Sequence, residues 1–147
     1  MVNKKINNNP IALGPYSQII KADGFVFISG QIGLLNVKGT RVNGDIKVQT
    51  ERIIKHIQII LHSRNYDLGD IVKTTVYLTN LKEFNKMNQI YGKYFKLLPP
   101  ARSTVEVRKL PKMAKIEIDA IAYRSSKIDL TTHLHQIWIA IVCFIVL

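Results

Sequence analysis

The sequence predicts an α+β domain of order ββ-α-β-α-ββ, a sheet that carries two helices on one of its faces. Three observations lead there: a glycine-punctuated hairpin near the start, two amphipathic helices separated by a β-branched strand, and a last strand in strict alternation. At 147 residues, 47% of them hydrophobic, the chain has the size of one compact domain with a sizeable core.

The elements follow in order. Phe25-Val-Phe-Ile-Ser29 is a β-branched and aromatic run between Gly24 and Gly30. Residues 17–21 pair with it across an Ala22-Asp23-Gly24 turn, Asp-Gly being a favoured hairpin dipeptide. From Val48 to about Arg64, Ile53, Ile54, Ile57, Ile60 and Leu61 recur at helical spacing. Ile71–Leu78 is rich in β-branched residues and reads as a central strand. Asn80 supplies an N-cap with Glu83 as its capping-box partner, opening a helix striped by Leu81, Phe84, Met87, Tyr91, Tyr94 and Phe95. Pro99-Pro100 stops that helix. Residues 103–107 and 115–123 complete the sheet. In the last strand Ile116, Ile118, Ala120 and Ala122 share one face, and Glu117, Asp119, Ile121 and Tyr123 the other. That second, partly polar face calls for a cover, either a pocket or a subunit contact.

Charge and the two ends bound the function. Twenty-one Lys and Arg against ten Asp and Glu give a formal charge of +11. Arg124, Lys127 and Asp129 are the only formal charges beyond residue 123, so the basic character belongs to the domain. A single cysteine, Cys143, excludes an internal disulfide and any multi-cysteine zinc or iron–sulfur site. The first ten residues carry Lys4 and Lys5 but no apolar stretch behind them, so they do not read as a secretory signal. A cytoplasmic protein is expected, an organellar location staying open. Arg124-Ser-Ser-Lys127 marks the one visible boundary: a domain over 1–124 and an extension over 125–147. That extension ends in the apolar run Ile137–Leu147, too short for a membrane-spanning helix, which needs about 20 residues. It reads as a segment packed on the domain or a neighbouring subunit, or as one without function.

Nucleotide-binding, zinc-protease and serine-hydrolase motifs are absent from the sequence. His133 and His135 lack a third ligand and read as a chance pair, so no metal is expected. His56 and His62 read as surface residues of the first helix. Arg102 directly follows Pro99-Pro100-Ala101 at a rigid loop-to-strand junction. It is suited to bidentate capture of a carboxylate, or is an ordinary surface or interface arginine. Glu117, midway along a strand, is either paired structurally or placed to orient a water molecule.

Several motifs then occur together. Gly14-Pro-Tyr-Ser-Gln18, Ile28-Ser-Gly-Gln-Ile32, Val72-Lys-Thr-Thr-Val-Tyr-Leu78, Met87-Asn88 with Tyr91, Pro100-Ala-Arg-Ser103, Val105-Glu-Val107, Leu110-Pro-Lys112 and Ile116–Ala122 stand in the order found in the RidA/YjgF family. Over roughly residues 6–124 the chain resembles a RidA-type reactive-intermediate deaminase. The resemblance implies a chorismate-mutase-like fold and a homotrimer with sites in the clefts between subunits. It also implies cofactor-free hydrolysis of 2-imino acids or their enamine tautomers, such as 2-iminobutanoate and 2-iminopropanoate, to 2-keto acids and ammonia. Arg102 matches the family's arginine for the substrate carboxylate, and Glu117 the glutamate that positions or activates water. Tyr16, Ser29, Gly30 and Asn88 match positions that line or support the pocket. Thr104 stands where many members carry cysteine, leaving only a backbone contact to substrate, and Asp119 where many carry glutamate. The residues after about Lys127 have no counterpart in the family pattern. An RNA-processing role, which the charge would suit, and a noncatalytic trimer that binds small carboxylates are the alternatives.

Overall fold

The computed structural model describes residues 15–34 and 44–125. The apolar C-terminal run, His133, His135 and Cys143 lie outside the described residues. Five strands and two helices follow in the predicted order: β1 Ile19–Ala22, β2 Phe25–Ile32, α1 Ile46–His62, β3 Ile71–Leu78, α2 Phe84–Tyr94, β4 Ala101–Glu106 and β5 Ile116–Tyr123. They form one mixed sheet of order β1-β2-β5-β3-β4, antiparallel except for β3 and β4, which run parallel with α2 as the crossover.

The β1–β2 hairpin turns on Asp23 and Gly24, both with positive φ, at 45° and 81°. The turn is thus two residues, one fewer than predicted, and the first strand starts at Ile19. A Cβ on Gly24 would lie 2.7 Å from the Arg124 carbonyl oxygen, so only glycine lets β5 end alongside this turn. At α1 the Asp45 side chain accepts from the Val48 N–H at 3.0 Å and caps the helix two residues before the apolar stripe suggests. The helix buries Ile46, Ile53, Ile54, Ile57, Ile60 and Leu61, each worth roughly 1.5–3 kcal/mol relative to exposure. They pack with Val26 and Ile28 of β2, Val76 and Leu78 of β3, Ile116 and Ile118 of β5, and Met87 and Tyr91 of α2 in a single core.

Three local expectations are corrected. Asn80 does cap, accepting from the Lys82 N–H, but it caps a 3₁₀ turn over Leu81–Glu83 that precedes α2. No capping box forms, because the Glu83 carboxylate turns instead to the Lys115 ammonium at 3.5 Å. Leu81 is consequently exposed, and Ile90, absent from the predicted stripe, is buried. His62 is exposed as expected, whereas His56 is only 4% exposed. Position 56 lies three residues after Ile53 and four before Ile60, within the stripe.

The strands expose their other face as the alternation in β5 requires. Ile20, Phe25, Phe27, Val105 and Tyr123 remain 40–51% exposed there, beside Lys73, Thr75, Tyr77, Glu117 and Asp119. Among the described residues no helix is long and apolar enough to cross a membrane.

Candidate active site

The sheet divides the predicted site residues into two groups. β4 pairs with β3 in a parallel register that sets Arg102 beside Thr74 and Thr104 beside Val76. Thr74 and Val76 are buried against the helices, so Arg102 and Thr104 lie on the helix side, Arg102 as the second residue of the strand rather than ahead of it. There the Arg102 guanidinium carbon is 4.6 Å from the Tyr91 ring centroid and 5.6 Å from that of Phe84. Phe84, Asn88 and Tyr91 are spaced four and three residues apart, so Asn88, itself exposed, shares this stripe of α2. The Tyr91 hydroxyl is anchored in turn by Thr74 Oγ1 at 2.8 Å. The arginine therefore rests on an aromatic shelf, and its charged end is left to meet an anion.

Glu117 is on the opposite face. It pairs in register with Ile32 of β2 and Tyr77 of β3 and opens into a cleft of about 410 Å³, lined also by Tyr16, Ser29, Gly30 and Pro111. Between Ile28 and Gln31 the β2–β5 ladder shifts by one residue, a bulge that carries Ser29 and Gly30. Ser29 is held on both sides: its N–H donates to the Gln18 carbonyl at 3.1 Å and its hydroxyl to the Ser17 carbonyl at 2.7 Å. The carboxyl group of Glu117 lies flat over the Gly30 Cα. A Cβ there would come within 2.7 Å of Glu117 Cδ and closer still to Oε1. Among the described residues the Glu117 carboxylate makes no hydrogen bond or ion pair, so of the two readings of this residue the structurally paired one does not hold. Half-burial, aided by the like charge of Asp119, pushes its proton affinity up.

Tyr16, Ser29, Gly30 and Glu117 thus come together, and Arg102, Asn88 and Thr104 gather elsewhere. Sequence reasoning missed Ile32 and Pro111 as cleft walls, and missed the shelf of Phe84 and Tyr91, whose spacing was visible but indistinguishable from a core stripe. Among the described residues no cluster of His, Cys, Asp or Glu is placed to hold a metal ion.

The sequence model of a family described as endoribonuclease L-PSP matches residues 6–124. A RutC family protein of Pyrococcus horikoshii is 50% identical over 117 residues, covering 80% of this chain and 93% of the relative. The chain belongs to the RidA/YjgF family. Another family member, Reactive Intermediate Deaminase A of Arabidopsis thaliana chloroplasts, is 48% identical over 113 residues, which are 77% of this chain and 60% of the relative. Solved structures agree with the RidA/YjgF fold. The YjgF gene product of E. coli superimposes with a TM-score of 0.76 at 40% identity, covering 80% of this chain and 94% of that one. E. coli TdcF with bound serine gives 0.77 at 35% identity, covering 82% and 97%.

Proposed function

We propose that the protein is an imine deaminase. It hydrolyses small 2-imino acids or their enamine tautomers, 2-iminobutanoate and 2-iminopropanoate foremost, to 2-keto acids and ammonia. The observation that carries this reading is the unpaired Glu117 carboxylate in a cleft beside Ser29 and Tyr16. The name of the Arabidopsis relative and the serine bound to TdcF support the chemistry and the size of substrate.

In this reading Glu117 takes a proton from water as the water oxygen attacks the C=N carbon, and returns it to the nitrogen. The C–N bond then breaks, leaving the keto acid and ammonia. Arg102 holds the substrate carboxylate in a bidentate grip and so fixes the imine carbon against the water. Because Arg102 and Glu117 lie on opposite faces of one sheet, the complete site takes Arg102 from one copy and Glu117 from a neighbour. A homotrimer with inter-subunit clefts provides that arrangement, and the uncovered Phe25, Phe27 and Tyr123 give the copies an apolar surface to bury.

The test is ammonia and keto-acid release from enzymatically generated 2-iminobutanoate, with Arg102→Ala and Glu117→Ala variants compared with the spontaneous rate. Acceleration by the protein and its loss in both variants is the expected result. Coexpressing the two inactive variants should restore about a quarter of the sites, since each site would draw its two residues from different copies. No acceleration by the intact protein refutes the deaminase, and no recovery on mixing refutes the shared site. A second reading, RNA binding, rests on the +11 charge alone. It predicts RNA affinity that Arg102→Ala leaves nearly intact.

A further inference from the structure

Asp119 is two residues from Glu117 on the same face of β5, about 7 Å along the strand. Its carboxylate is fixed at both oxygens. Oδ1 accepts from the Thr75 N–H at 3.1 Å and Oδ2 from the Tyr77 hydroxyl at 3.1 Å. Tyr77 is also the register partner of Glu117, so its ring stands beside one acid while its hydroxyl holds the other. Two donors on one carboxylate and none on its neighbour give the acids different characters. The donors stabilise the negative charge of Asp119, and Glu117, half-buried and unpaired, faces that charge.

The groups around Glu117 supply no nearby compensating cation among the described residues. β2 contributes Gly30 and Ile32, β3 contributes Tyr77, and Tyr16 and Pro111 close the cleft. Lys115, the nearest lysine along β5, is engaged by Glu83. Like-charged carboxylates that share a site do not both ionise freely. The one with more hydrogen bonds keeps its charge and the other holds its proton more tightly.

We propose that Asp119, clamped by Thr75 and Tyr77, is a positioning residue whose fixed negative charge makes Glu117 the stronger proton acceptor that the hydrolytic step uses. The proposal rests on the deaminase reading for its catalytic meaning, while the coupling between the two acids stands apart from it. A stronger base takes the proton of the attacking water more readily. The same proton, once on Glu117, is then delivered to the departing nitrogen.

The experiment follows the Glu117 carboxyl carbon by NMR as a function of pH, together with the pH dependence of kcat for 2-iminobutanoate hydrolysis, in the intact protein and in Asp119→Asn, Asp119→Glu and Tyr77→Phe variants. Asp119→Asn keeps the volume and removes the charge. Its Glu117 midpoint should move to lower pH, and the acid limb of kcat should move with it. Asp119→Glu restores the charge and should bring both back towards the parent values. Tyr77→Phe removes one of the two donors and should change the Glu117 midpoint less than Asp119→Asn does. A Glu117 midpoint that is the same with and without the Asp119 charge overturns the proposal, as does a midpoint that moves while the kcat profile stays in place. A stability loss in Asp119→Asn with both titrations unmoved would make the residue structural only. If the intact protein does not accelerate hydrolysis, the deaminase reading fails by itself, and the NMR titration still decides the coupling.

Discussion

Replacing Gly30 with alanine adds one methyl group where the Glu117 carboxyl already lies. The new Cβ would be 2.7 Å from Glu117 Cδ and 3.1 Å from Cγ. Carbon atoms in contact rest at about 3.5–4.0 Å, so the carboxyl group has to withdraw by about 1 Å. The main chain does not object, since φ at Gly30 lies outside the left-handed region. Alanine also restricts the unfolded chain, which favours the fold by roughly 0.4–1 kcal/mol. Forcing Glu117 off its rotamer costs a comparable 0.5–1.5 kcal/mol or so. The two effects nearly cancel, so the thermal midpoint should stay within about 4 °C of the parent. Activity should not be so lightly affected. A displacement of about 1 Å in a group that directs the attack is worth about 100-fold in rate. Keto-acid release from 2-iminobutanoate and thermal unfolding, measured on the same Gly30→Ala preparation, check both halves of the argument. Shortening the acid supplies a control: Glu117→Asp should cost less in the Gly30→Ala background than in the parent, because the shorter side chain clears the methyl. Parent-level turnover in Gly30→Ala would refute the claim that the placement of Glu117 over Gly30 matters, and a collapse in stability would show that the contact serves the fold.

Three further outcomes follow from the same structure. Arg102→Lys keeps the charge but loses both the fork and the aromatic shelf, so KM for the imino acid should rise about 10- to 100-fold, the worth of one charge-assisted hydrogen bond; an unchanged KM would remove Arg102 from substrate binding. Burial, with the Arg52 charge adding to it, holds the His56 imidazole below its ordinary value of 6.5, so the unfolded chain takes up a proton that the folded chain refuses. Stability should therefore fall as pH drops through about 6.5 and should level off below the folded value, and denaturant midpoints in His56→Gln should lose that dependence. Met113 sits at φ 61° with its side chain 77% exposed, so it carries the cost of a left-handed backbone without a packing return. Met113→Gly should stabilise the fold by roughly 0.5 kcal/mol, the left-handed cost of about 1–2 kcal/mol less the unfolded-state entropy of glycine. A lower denaturant midpoint would contradict it.

The elements that sequence reasoning placed most accurately are those whose cause is local. Ile71–Leu78 is a strand at the predicted bounds because its β-branched run lies centrally in the sheet, and the alternation from Ile116 to Tyr123 sorted the two faces of β5 correctly. Glu83 went astray because a capping box and an ion pair compete for the same carboxylate, and the winner, Lys115, is remote in sequence. His56 went astray because a stripe of isoleucines sets only the centre of the buried face, and a residue near its edge is decided by what packs against it. The site divides along the same line. Alternation in β5 turns Glu117 away from the helices, but the face taken by Arg102 depends on two pairings, β5 with β3 and β3 with β4, and on the parallel register that sets Arg102 beside Thr74. Motif spacing carries neither. A chain that holds an anion-binding arginine on one side of a sheet and an unpaired acid on the other cannot bring both to one small substrate by side-chain motion, because the sheet stands between them. Read this way, the bare apolar face and the divided site are one requirement: a neighbouring copy that covers Phe25, Phe27 and Tyr123 is also what brings an arginine to each glutamate.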